Sequence, residues 1–160
     1  MPDPRVAHVH RKADDALDAV RSRITCRGPG CSACCRSDVL THPAEFAALL
    51  PHVPEAAWPR VEALGALTGL ERLTAPCALL DPDTRLCTVY AHRPGVCRIY
   101  AVVGPPEDCD TGRGPAVVAR PAAPVAALAH AMDHALPGGY GAAELMVDLL
   151  SRALRARGRS

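Results

Sequence analysis

The sequence predicts a mainly α protein, a small helical domain with an irregular, cysteine-rich central region. Three observations predict it. Apolar residues recur at helical spacing in five stretches, and that periodicity is lost between Pro76 and Pro115. Eight cysteines gather around the aperiodic part, four of them within residues 26–35.

Residues 10–24 carry Ala13, Leu17, Val20 and Ile24 at spacings of four, three and four, which predicts the first helix. Gly28-Pro29-Gly30 ends it and opens a loop. A short helix at 43–50 follows because Thr41 can cap it, Pro43 suits its first turn and Glu45 favours its positive end. Pro51 and Pro54 break that segment. A third helix at 59–72 begins with Pro59 and shows Val61, Leu64, Leu67 and Leu70, with Gly65 and Gly69 weakening it. Two more helices, 122–136 and 141–156, are separated by Pro137-Gly138-Gly139, and the second ends in Arg152, Arg155 and Arg157. The expected organisation is a single domain over 1–160, with a core at 26–110 and flanking helices at 10–24 and 122–156.

Composition limits the function classes. The apolar fraction is 49% but rich in alanine, and aromatics are only 3%. A core of small side chains gains little from burial, so cross-links of some kind are expected. A net charge of +1 gives no reason to expect a nucleic-acid or membrane partner. A protein partner, unidentified, is left open. Met1 to Asp15 is polar with no apolar leader segment, so the expected location is the cytoplasm. In that reducing compartment, cysteines are expected to be ligands or redox groups, ahead of disulfides.

The thiols are Cys26, Cys31, Cys34 and Cys35, then Cys77, Cys87, Cys97 and Cys109. Thiolates bind soft or borderline metals, and the turns that carry them can aim backbone N–H groups at sulfur. All eight are therefore candidate metal ligands, which makes the central region metal-organised. Adjacent side chains diverge, so Cys34 and Cys35 cannot easily share one tetrahedral zinc. Two centres are expected, with that pair as the divide, because eight thiolates make two four-sulfur sites of zinc or iron–sulfur type. Arginines near the cysteines can offset thiolate charge: Arg27, Arg36, Arg85, Arg93 and Arg98. Arg93 and Arg98 bracket Cys97 and are the stronger candidates for hydrogen-bonding the bound cofactor's sulfurs. Among histidines, His92 is the best substitute ligand. His8 and His10, the His130/His134 pair and His42 are weaker, since no glutamate of a zinc-protease motif lies between His130 and His134.

These residues resemble the YkgJ-type cysteine-cluster family, a zinc- or iron-chelating domain with a CxxCxxCC motif. The matching text is Gly30-Cys31-Ser32-Ala33-Cys34-Cys35-Arg36, Leu40-Thr41 ahead of Glu45, Cys77-Ala78-Leu79-Leu80-Asp81, and the stretch Leu86 to Arg98. The last contains C-x-[IV]-Y-x-x-R-P-x-x-C-R with all seven of its fixed positions met. The resemblance covers about 26–110. The spacing from Cys26 to Cys31 is longer than the family's commoner one, and Ala78-Leu79 stands where Pro-Phe is frequent. The resemblance implies an iron–sulfur cluster, 4Fe–4S in first expectation, and/or Zn2+. Some relatives are associated with lysine methylation of flagellin, but no glycine-rich nucleotide loop follows a predicted strand here. The leading functional expectation is a metal-binding protein with a redox, sensing or accessory role. An enzyme using an open iron or cluster site and a zinc-stapled interaction module are the alternatives, and no catalytic residue is assigned.

Overall fold

The computed structural model describes residues 3–26, 31–36, 39–103, 105 and 121–158, apart from the Leu73 side chain. Among the described residues the architecture is mainly α, as expected. Its helices are α1 (Pro4–Asp18), α2 (Pro43–Leu49), α3 (Trp58–Ala66), α4 (Gly69–Thr74), α5 (Gly95–Arg98), α6 (Ala122–Ala135) and α7 (Met146–Arg157). Two short strands, β1 (Leu40–Thr41) and β2 (Glu144–Leu145), pair antiparallel with Leu40 opposite Leu145 and Thr41 opposite Glu144. No described helix is long and apolar enough to cross a membrane.

The first helix lies further toward the N-terminus than 10–24. Asp3 caps it by accepting the Arg5 N–H at 2.9 Å, and Pro4 occupies the first turn. Its buried stripe is Val6, Val9 and Ala13, so it ends at Asp18, and Arg21–Arg23 forms a separate 3-10 turn. The stripe packs on Leu128, Ala131 and Met132 of α6 and on Ile99.

The expected 43–50 helix forms as α2, but its cap is His42. The His42 ring accepts the Ala44 N–H at 3.1 Å, while Thr41 is taken up in β1. The expected 59–72 helix is split at Leu67 and Thr68. Gly69 adopts a φ of +55°, open to glycine at little cost, and Leu70 is 75% exposed, so its apolar series stops at the break. The 122–136 helix forms as α6. The 141–156 helix starts later, at Met146, because Tyr140–Ala142 makes a 3-10 turn and Glu144–Leu145 is drawn into β2.

Two apolar clusters form among the described residues. One joins α2, α3 and α7 through Leu49, Trp58, Val61, Leu149 and Leu150, with Leu79 and Val89 buried in it. The other is the α1/α6 cluster. Cys77, Cys87 and Cys97 pack against the first, so the aperiodic middle is seated on the larger core.

Candidate metal centre

Three pieces of chain bring the thiols together. The loop over 31–36 is joined to the next cysteine segment where the Cys77 N–H donates to the Cys35 carbonyl at 2.9 Å, and Arg36 faces Pro76 in an isolated bridge. From Cys77 the chain makes a tight reversal. Thr88 N–H donates to the Leu79 carbonyl and Asp81 N–H to the Leu86 carbonyl, both at 2.9 Å. The tip is an aspartate turn in which Asp81 Oδ1 accepts from the N–H groups of Asp83 at 3.0 Å and Thr84 at 2.7 Å. Arg85 closes it in the left-handed region at φ +59° and donates to Ser32 Oγ at 2.9 Å, tying the reversal to the first cysteine loop. The reversal sets Cys87 back toward Cys77. The third piece is α5, which carries Cys97.

Seven described cysteines, Cys26, Cys31, Cys34, Cys35, Cys77, Cys87 and Cys97, are free thiols. Cys109 and Arg27, both singled out in the sequence, lie outside the described residues. The Cys34 thiol hydrogen-bonds the Cys35 sulfur and holds Cys35 below the ordinary thiol value, against burial and the charges of Cys77, Cys87 and Cys97. Burial pushes Cys77 up to about 11, opposed by the N–H groups of Leu79 and Leu80 aimed at its sulfur. Burial, then the charges of Cys77 and Cys87 and last that of Cys34, pushes Cys97 up strongly, with Arg93 opposing. Burial also raises Cys87, against the Val89 N–H and Arg93. Cys35, Cys77, Cys87 and Cys97 are thus one electrostatically coupled group. Cys26 is coupled to Cys34 and Cys31; burial raises it while the Val102 N–H, 3.2 Å from its sulfur, opposes.

The arginines divide. Arg93 lies over the Tyr90 ring at 4.1 Å, and its charge favours the thiolates of Cys87 and Cys97. Arg98 is directed elsewhere: to Asp14 at 2.9 Å and to the carbonyls of Ala91 and Arg93. Arg36 donates to the Thr74 carbonyl. Arg60 was not expected from the sequence. It stands on α3, donates to the Ala78 carbonyl at 3.0 Å, and its charge opposes the rise at Cys77. Its only sequence signal is a cation on a helix, which cannot announce a partner eighteen residues away.

The histidines have other partners. His42 uses both ring nitrogens, one accepting from Ala44 and the other donating to the Pro137 carbonyl at 3.0 Å. His92 stacks on His52 with ring centroids 3.4 Å apart. His134 bonds the His130 carbonyl, and His10 meets Glu45 at 3.0 Å.

As the side chains stand, no three of the His, Cys, Asp and Glu groups among the described residues converge closely enough to hold an ion. The donor set itself fits a zinc or iron centre. It is all sulfur, backbone N–H groups already point at it, and the charges of Arg60 and Arg93 favour its thiolates. A cysteine closes on an ion by rotation about a single side-chain bond.

No curated protein and no solved structure matches the chain. One family model does, over residues 25–117, which spans all eight cysteines and none of the flanking helices α1, α6 and α7. Matched over more than half its length, with its thiols gathered as described, the chain belongs to the CxxCxxCC family, whose description is "Putative zinc- or iron-chelating domain".

Proposed function

We propose that Cys35, Cys77, Cys87 and Cys97 hold one inner zinc or iron centre, and that Cys26, Cys31 and Cys34 belong to a second, outer one. The observation that supports this reading is the mutual coupling of the four inner thiols beneath the N–H groups of Leu79, Leu80 and Val89. Neutral thiols packed against an apolar core gain nothing from such donors, whereas a set of thiolates needs them. Cys34 and Cys35 serve as the divide because adjacent side chains diverge.

When bound, zinc supplies a redox-silent cross-link and an iron–sulfur cluster supplies electron transfer. Cys35, Cys77, Cys87 and Cys97 would be the ligands of the inner centre. Arg60 and Arg93 would offset their charge, and Leu79, Leu80 and Val89 would orient the sulfurs through N–H donation. Four thiolates close a coordination sphere, which suits a structural or electron-transfer role better than catalysis. Exposed Cys26 gives the outer group access to solvent.

Anaerobic purification with metal and acid-labile sulfide analysis tests the reading. Stoichiometric zinc, or iron with labile sulfide, is the expected result, and the sulfide separates the two. A reduced, folded protein that takes up neither metal on reconstitution would overturn it.

A further inference from the structure

The helix that carries Cys97 is only one turn long and cannot hold its own shape. It is gripped from two sides. At its start, the Gly95 N–H donates to Glu45 Oε1 at 2.7 Å. At its end, Arg98 reaches Asp14 of α1 at 2.9 Å. Glu45 is 1% exposed, a burial that a carboxylate tolerates only when it is well hydrogen-bonded. Its Oε1 also accepts from His10 Nε2 of α1 at 3.0 Å, and its Oε2 from the His42 N–H at 3.3 Å. A carboxylate only accepts, so Nε2 is the protonated nitrogen of His10.

The fit at Gly95 leaves no slack. A Cβ there would lie 2.5 Å from Leu128 Cδ1 and 3.2 Å from Glu45 Oε1. Glycine therefore lets α5 approach both the carboxylate and α6. Capping of α2 accounts for the bond to His42, but not for those to Gly95 and His10.

We propose that Glu45, braced by His10, is a positioning residue for Cys97, fixing α5 and so the retention of metal by the inner thiols. This rests on the reading that those thiols bind metal. It assigns α1, which lies outside the family-matched residues, a part in holding the centre.

The test uses the full chain, reduced and anaerobic, with Co2+ as the metal probe. Glu45→Gln, His10→Ala and Gly95→Ala are compared with wild type and with Leu136→Ala, a truncation in the α1/α6 cluster. Two quantities are read: the rate of Co2+ loss to a chelator, with its sulfur-to-cobalt absorption, and the alkylation rate of Cys97 relative to Cys77 in metal-free protein. The expected result is release faster by about tenfold or more in the Glu45 and Gly95 variants, a smaller change in His10→Ala, and a raised Cys97 ratio. Leu136→Ala should shift neither quantity. Release and alkylation unchanged in Glu45→Gln, or reproduced by Leu136→Ala, would overturn the proposal. Should Glu45→Gln fail to fold, His10→Ala supplies the same two readouts at a partly exposed residue. If wild type takes up no Co2+, the metal reading fails by itself. The alkylation ratio then still decides whether Glu45 positions Cys97.

Discussion

The Cys77 N–H donates to the Cys35 carbonyl at 2.9 Å, so the two cysteine-bearing segments are joined by backbone before any metal is considered. That bond fixes the approach of two thiols separated by forty-two positions in the chain. Cys77 is packed against the larger core, whereas Cys26 is exposed.

Substitution should expose the inequality. Cys77→Ser is expected to lower metal retention by about a hundredfold and Cys26→Ser by about tenfold or less, since the first breaks a closed, core-seated set. Chelator competition on the two variants measures both. Equal losses would contradict the division.

Removing metal under reducing conditions should loosen 31–36 and 76–92 while α1, α5 and α6 stay packed, since Glu45 and Asp14 hold α5 without it. A structural zinc site contributes on the order of 10–16 kcal/mol to folding, whereas the α1/α6 cluster is held by its own apolar side chains. Amide hydrogen exchange before and after chelation reports it, and unaltered protection in 76–92 is the contrary outcome.

Arg60→Met keeps the side-chain stem but removes the cation that favours the Cys77 thiolate. Zinc or iron affinity is expected to fall by about tenfold, with secondary structure retained by circular dichroism. No loss of affinity would assign Arg60 to holding the Ala78 and Ala56 carbonyls alone.

His92 provides a pH marker. Partial desolvation in the stack and then the neighbouring His52, with Arg98 and His10 beyond it, hold its imidazole below the ordinary 6.5. A base with a lowered folded pKa contributes stability above its unfolded pKa, and that is lost as pH falls below 6.5 through the folded value. The contribution is small because the ring is exposed. NMR titration should place the His92 midpoint below 6.5, and His52→Ala should move it upward. An unmoved midpoint would remove the stack as a cause.

Much of the helical framework was legible. Pro43 and Glu45 at the start of α2 and the spacing of Leu128, Met132 and Leu136 along α6 to its C-cap act within one or two turns, and local signals of that kind need no tertiary contact. The misplaced α1 shows the limit. Leu17, Val20 and Ile24 had helical spacing, yet Val6 and Val9 are the residues that α6 covers. The split between α3 and α4 has the same origin, since Leu70 fits the spacing but finds no surface to cover it.

The sequence alone determined the donor chemistry. Thiols at these spacings, in a chain too poor in large apolar residues to order its middle by burial, can be read without coordinates. Tertiary structure decided which thiols are neighbours and what surrounds them. Cys35 meets Cys77 through a backbone bond, Arg60 reaches the site from α3, and Arg98 turns away to Asp14. Glu45, which reads in sequence as a favourable charge in a first turn, becomes a buried acceptor between α1 and α5. Electrostatic coupling and desolvation depend on distance in space, and chain spacing does not specify that beyond a few turns.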